Sequence, residues 1–448
     1  MDFLNFFPQF GNLFMTLAAF VVALSVIVAV HEYGHYIVAR WSGIKAEVFS
    51  LGFGPVIFSR MDRHGTKWQF ALLPLGGYVK FLGDSNAASA NVADGTAGMA
   101  PERRRQTMQG APLWARSATV AAGPVFNFIL STLVFGTVIM MQGKSIEPLV
   151  VAQMKPLPIE GITLRPGDRL VSVAGVPMPG FDDTEGFKNF VDGLPAAALL
   201  DYTVMRDGEE VSAQGPHPMP PLAVQLAPQS AAFDIDMRSG DVITAIDGTP
   251  IYAFTQLKEI VEGSSGRPLE IDVWRDGQPL VFTLVPRRVD APLPEGGFET
   301  VYRIGISGGF AFEPATEPLG LWGGLSGGVA QTYTVVSSSL SGLYHMVTGA
   351  ISSCNMSGPI GIAEVSGAMA SQGLESFIWF IAVLSAAVGL LNLFPVPVLD
   401  GGHLAFYAYE AVFRKPPSEG ALRVLMATGL SLVLGLMAFA LFNDIMCP

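Results

Sequence analysis

The chain has 448 residues, half of them hydrophobic and 14% charged, with a net charge of −12 from 26 basic and 38 acidic side chains. Soluble proteins carry about 25% charge, so this composition, with a mean hydropathy of +0.43, excludes an ordinary soluble globule and points to several membrane segments. The acidic balance excludes a nucleic-acid binder, which shows a basic face. Cys354 and Cys447, the only cysteines, can form neither a disulfide framework nor a four-thiolate zinc site. Any metal must therefore be held by histidines and carboxylates.

A hydrocarbon core of about 30 Å needs about 20 apolar residues of helix, and residues 13–30, 118–141, 377–398 and 424–442 qualify. The first run leads into His31-Glu32-Tyr33-Gly34-His35 with no basic residue before it, so it reads as neither a signal peptide nor a transit peptide. Residues 40–117 hold ten basic and five acidic side chains. The positive-inside rule makes that loop cytoplasmic and leaves the N-terminus outside. Residues 143–320, with 13 basic and 25 acidic side chains, then fall on the outer side. Residues 318–363 carry no charge but are rich in Gly and Ser, and read as a helix lying on a surface and not as a fifth span.

The acidic region repeats itself. Residues 165–177 (RPGDRLVSVAGVP) are echoed at 238–250 (RSGDVITAIDGTP), and 202–208 (YTVMRDG) at 271–277 (IDVWRDG). Each copy reads as short strands with Gly turns, the Arg-Asp-Gly closing a hairpin, and one helical stretch such as 253–261. The pattern resembles two PDZ domains of the bacterial type, a fold that can add an extended chain to a sheet edge. A role as spacer or steric shield fits it equally. The expected segments are 1–142, the first half of a membrane core; 143–219 and 220–292, the two PDZ domains; 293–352, a linker and surface helix; and 353–448, the second half of the core. Residues 83–110 read as a flexible cytoplasmic insert.

The chemistry sits at 31–35. On a helix, positions i and i+4 lie on one face about 6 Å apart along the axis, so His31 and His35 can share a metal ion. Glu32 can then serve as general base to the water there, the logic of H-E-x-x-H. Ionisable groups at membrane depth are costly without a task and partners. A catalytic zinc takes three protein ligands and leaves one position open. If the spans alternate and 318–363 does not cross, the end of the third span reaches the face of the His pair, which selects Asp400 as third ligand. His403 is the competing candidate; His64, His217 and His345 read as structural or exposed. Pro395 and Pro397 break the third span, and broken backbone at membrane depth persists only where protein or a cavity satisfies it. That places Asn392 to offer its amide to a substrate backbone.

Taken together, 31–35 (HEYGH), 52–55 (GFGP), 74–80 (PLGGYVK), 121–127 (AAGPVFN), 357–362 (SGPIGI) and 392–402 (NLFPVPVLDGG) resemble the site-2 protease family, in its bacterial branch with tandem PDZ domains, the regulator-of-sigma-E type. The expected fold class is a multi-pass membrane protein: an α-helical core of four transmembrane helices with a membrane-associated β-hairpin, plus two mainly-β PDZ domains on the outer side. The residues imply one Zn2+ per chain on His31, His35 and Asp400, with Glu32 catalytic. The resemblance implies cleavage within a transmembrane helix of single-span substrates in the inner membrane of a bacterium. Anti-sigma factors first trimmed by another protease are the expected class, and the PDZ pair would contact their outer region or refuse untrimmed chains. A helical substrate must be extended before attack. Residues 46–58 and 68–81 read as a hairpin whose edge at 48–51 pairs with it, with Gly52, Phe53, Gly54 and Asn392 as substrate-binding residues. The competing functions are a metal-bearing membrane adaptor, against which Glu32 speaks, and a zinc transporter, which the nearly apolar second and fourth spans disfavour. Cys354 and Cys447 both fall on the outer side, where a disulfide is permitted, but their spacing does not fix a bond.

Overall fold

The computed structural model describes residues 6–84, 99–180, 183–293 and 297–447. They divide into two compact units, one of residues 1–139, 321–349 and 353–448, the other of 140–320 with 350–352.

Among the described residues four helices are long and apolar enough to cross a membrane: Leu13–Trp41, Leu113–Gln142, Leu374–Leu393 and Glu419–Met446. The first belongs to a continuous helix, Phe6–Trp41, so the His pair lies inside a helix and not at its end. The third stops earlier than the apolar run suggests. Phe394 turns extended (φ −62°, ψ 142°) after Leu393, because Pro395 and Pro397 have no N–H to continue the helical ladder. The chain resumes as a helix at Asp400–Phe413.

The uncharged Gly/Ser stretch forms one helix, Leu321–Val347, with Gly324, Gly328 and Thr332 buried. It meets the second span where both are small. A Cβ on Gly136 would stand 2.8 Å from the Gly324 carbonyl, and the Thr132 and Thr332 hydroxyls bond at 3.1 Å. A further helix, Pro359–Ser371, has no counterpart in the sequence reading. The Asp444 carboxylate accepts from the N–H groups of Gly358, Ile360 and Gly361 at its start, and Cys354 and Cys447 form a disulfide beside it.

Residues 85–98 of the 83–110 insert lie outside the described residues; 101–105 form a short helix. Ahead of it, strands Ala46–Met61 and Lys67–Phe81 make more than a simple hairpin. Residues 46–51 pair antiparallel with 77–81, and 56–61 with 67–71, while Val48 to Leu51 also pair with 67–70, both numbers rising. The strand folds back on itself because Gly52 and Gly54 take φ of +92° and +86°, a conformation costly to other residues. The expected edge at 48–51 is therefore corrected: it lies inside the sheet, paired on both sides. The sheet is anchored on the first helix by Tyr36, which packs on Phe49 and Trp68 and donates its hydroxyl to Asp62 at 2.8 Å. Its far end exposes Phe53, Ile57, Phe58, Leu72 and Leu73.

The second unit contains two four-stranded sheets with the same strand order. In one, Arg169–Val173 pairs with Val176–Pro177 and Leu200–Arg206, which pairs with Glu209–Gly215. In the other, Val242–Ile246, Thr249–Pro250, Leu269–Arg275 and Gln278–Leu284 repeat that order. The repeated Arg-Asp-Gly closes each long hairpin, with Asp207 and Gly208, and Asp276 and Gly277, all at positive φ, as a type I′ turn requires. Each copy also buries the Asp of its Gly-Asp pair under the Arg of its Arg-Asp-Gly. Asp168 takes Arg206, and Asp241 takes Arg275, at 2.7 Å. Residues assigned above to the start of the linker do not run free. Ile306–Ser307 pairs with Gln225–Leu226, and Phe312–Pro314 with Val151–Met154, so these strands complete the unit instead of leaving it.

Candidate active site

His31 and His35 sit one turn apart on the first helix, their Nε2 atoms 3.1 Å from each other. Asp400, first residue of the helix after the proline break, places Oδ2 3.1 Å from His31 Nε2 and 3.5 Å from His35 Nε2. The break makes this approach possible, and two glycines keep it tight. A side chain at Gly401 would run into the carbonyls of Leu393 and Phe394, and one at Gly402 into Val396. The other end of the Asp400 helix is tied to the second span, where Arg116 holds the Glu410 carboxylate with bonds of 3.0 and 2.7 Å.

The second span reaches the His pair through missing side chains. A Cβ on Gly34 would stand 2.5 Å from the Ala122 carbonyl, and one on Gly123 would stand 2.7 Å from His31 Cε1 and 2.5 Å from His35 Cε1. Only small residues let two helix backbones approach this closely. From this span the Thr119 carbonyl faces His35 Nδ1 at 2.9 Å, and the Asn127 amide nitrogen stands 3.2 Å from His31 Nδ1.

These residues fit a metal ion. A His35 ring that donates from Nδ1 to Thr119 turns the lone pair of Nε2 inward, toward a buried Asp400 Oδ2 that has no hydrogen-bond donor and toward His31 Nε2. Three donor atoms converging in this way can hold a metal ion between them. For tetrahedral zinc with bonds of about 2.05 Å, neighbouring ligands lie about 3.3 Å apart; the three separations here are 3.1, 3.1 and 3.5 Å. Two imidazoles and one carboxylate also form a catalytic zinc set with its fourth position open.

Comparison with known proteins agrees. The profile of peptidase family M50 matches residues 19–436. The chain belongs to peptidase family M50, the site-2 protease family. It is 36% identical over 439 residues to a protein of Rhizobium meliloti named as a zinc metalloprotease, covering 97% of each chain. It is 34% identical to one of Agrobacterium fabrum so named, covering 95% of this chain and 94% of that one. The regulator of sigma-E protease RseP of Salmonella typhimurium is 32% identical over 456 residues, covering 97% of this chain and 99% of its own. This M50 chain is thus a zinc metalloprotease.

The other residues singled out in the sequence are placed less directly. Asn392 turns its amide nitrogen onto the Val388 carbonyl of its own helix at 3.1 Å. Gly52, Phe53 and Gly54 lie in the bend of the sheet; Gly52 backs on Ala71 and Leu73, and the Phe53 ring covers Gly76 and stacks on Tyr78. The strand that approaches Glu32 is another: a Cβ on Gly77 would stand 3.3 Å from Glu32 Cγ. His403 is not among the three clustered donors and stands edge-on to Phe406. His64 bonds to Arg40, His217 to the Met219 carbonyl and His345 to the Ser341 carbonyl. Gly123 and Asn127 were missed as site residues. Their only signal was that a Gly and an Asn stand in the Ala-Ala-Gly-Pro-Val-Phe-Asn motif of an otherwise apolar span.

Proposed function

We propose that this chain is an intramembrane endopeptidase that cuts single-span membrane proteins within their transmembrane segment, with anti-sigma factors trimmed by another protease as its substrate class. The observation that carries the reading is the convergence of His31, His35 and Asp400 beside Glu32 on a helix apolar enough to span a membrane. The name of the Salmonella relative supports the regulatory setting.

In this reading His31, His35 and Asp400 hold one zinc ion per chain. When bound, zinc supplies Lewis-acid chemistry, polarising a carbonyl and making a water acidic near neutral pH. Glu32, adjacent to His31 on the helix, accepts the proton of the attacking water and returns it to the leaving amine. The helix fixes Glu32, and the strand at Gly77 closes over it. An extended peptide pairs along residues 77–79, whose other side is occupied by 49–51; the edge beside Glu32 replaces 48–51 as the template. Gly52, Phe53 and Gly54 shape the bend behind that strand, and Asn392, one of whose amide N–H groups bonds Val388, offers the other to the peptide. The twin sheets of 140–320 are two PDZ domains on the outer, periplasmic side of the inner membrane. Both chain ends share that side, the His pair lies toward the cytoplasm, and the PDZ pair refuses untrimmed substrates.

The test is to incubate the purified chain with a single-span substrate and map the cut by mass spectrometry. A cut inside the apolar segment is expected; cuts confined to flanking polar sequence overturn the reading. Removing 144–319 as one unit, since 298–317 pair within it, should admit untrimmed substrate.

A further inference from the structure

We propose that Asn127 is a positioning residue for the His31 imidazole: its side-chain oxygen accepts the His31 Nδ1–H and so fixes the tautomer that leaves Nε2 free for metal. The inference rests on the reading of His31 as a zinc ligand. Asn127 is fully buried in the second span, with its amide nitrogen 3.2 Å from His31 Nδ1. Its Oδ1 is buried without any partner. An imidazole that binds metal through Nε2 carries its proton on Nδ1. An amide nitrogen in that place would set donor against donor and leave the oxygen orphaned, two costs at one residue. A half-turn of the amide removes the clash and gives the oxygen a donor, moving the nitrogen to the oxygen's former place, and because the two atoms are nearly the same size it disturbs no packing.

The arrangement then matches that of the other histidine. His35 Nδ1 faces the Thr119 carbonyl at 2.9 Å, eight residues earlier on the same helix, so one span supplies an acceptor to each imidazole. Asn127 is itself held in place. Ser131 and Ser385 donate their hydroxyls to its backbone carbonyl at 3.1 and 3.0 Å, the latter from the third span. Outer hydrogen bonds of this kind orient a ligand ring and raise its basicity, and losing one costs 10–100-fold in metal affinity.

The test is zinc affinity of the full-length purified chain in detergent, by competition with a chelator, for wild type, Asn127→Leu and Asn127→Asp. Both substitutions keep the number and branching of the side-chain heavy atoms, but only Asp keeps an acceptor. Asn127→Leu should weaken zinc about 10–100-fold, and Asn127→Asp should bind within about threefold of wild type or more tightly. Cobalt(II)-loaded wild type should show two slowly exchanging imidazole N–H resonances, one of which Asn127→Leu loses to water. Affinity of Asn127→Leu within twofold of wild type, or equal losses in the two variants, overturns the proposal. If Asn127→Leu does not fold, Asn127→Asp and the cobalt spectrum decide, with a single slow resonance or a large loss of zinc in Asn127→Asp counting against it. Wild type that binds no zinc overturns the ligand assignment itself, a distinguishable failure.

Discussion

Asp168→Asn should loosen the first twin sheet and leave the second untouched. Asp168 is 1% exposed and accepts three bonds: from the Arg165 N–H at 2.8 Å and from Arg206 Nε and Nη2 at 2.7 Å each. Burial pushes its carboxyl up, but the Arg206 guanidinium and the Arg165 N–H outweigh burial and hold it below the usual range. Asparagine removes the charge and turns one guanidinium bond into donor against donor. Bonds to charged groups contribute about 1.5–3 kcal/mol. Arg206 is 23% exposed, so water recovers part, leaving a cost of about 2 kcal/mol or about thirtyfold in the opening equilibrium. Hydrogen exchange of the full chain in detergent at neutral pH should show residues 169–173 and 200–206 exchanging about thirtyfold faster, with 242–246 and 269–275 unchanged; Asp241→Asn should do the reverse. The sign with pH follows from the depressed carboxyl: the stabilisation is complete above the ordinary value of 3.8 and is lost as pH falls below it. Exchange within threefold of wild type, or acceleration of both sheets together, would refute the reasoning.

Four further outcomes follow from contacts between side chains. Gly123→Ala puts a methyl group into both ligand rings, so bound zinc should fall below half of wild type by metal analysis and proteolysis at least 100-fold, an overpacking effect; full zinc would contradict the close approach of the second span. Burial pushes the Asp62 carboxyl up, but donors from Thr66, Tyr36, His64 and Trp68 hold it at about 2, so the turn of the sheet keeps this support above about pH 4 and loses it as pH falls through 2. The Trp68 indole N–H, which bonds Asp62 at 3.2 Å, should report a midpoint near 2 by NMR, and one near 4 would count against it. Maleimide should label neither Cys354 nor Cys447 until a reductant is added. In Cys447→Ser, further substitution of Asp444→Ala should loosen the start of Pro359–Ser371 by about 1 kcal/mol in hydrogen exchange, and no change would mean that the carboxylate does not cap that helix.

What could be read from the sequence was what local spacing encodes. His31 and His35 at i and i+4 need only a helix, and the break announced by Pro395 and Pro397 needs only the missing N–H groups. Asp400 required counting spans, an argument that turns on leaving the Gly/Ser helix out of the count. The rest depended on contacts between distant residues. Gly34 and Gly123 gain meaning only when two helices touch, and Asn127 only when His31 faces it. The doubling of the sheet was hidden because it depends on the positive φ of Gly52 and Gly54, which glycine permits but does not impose. Strands of two or three residues, such as Ile306–Ser307, are too short to show any period. The disulfide lay outside what spacing can fix, since it joins residues 93 apart.

The central claim is that Glu32 acts on a metal-dependent peptide hydrolysis at His31, His35 and Asp400. The most direct test is cleavage of a tagged single-span substrate by purified wild type, by Glu32→Gln and by chelator-treated protein, with zinc measured on each. The expected result is one zinc per chain in wild type and in Glu32→Gln, with cleavage by wild type alone and its restoration to the chelated protein by added zinc. Cleavage that persists in Glu32→Gln, or in chelated protein shown to be free of metal, would contradict the account.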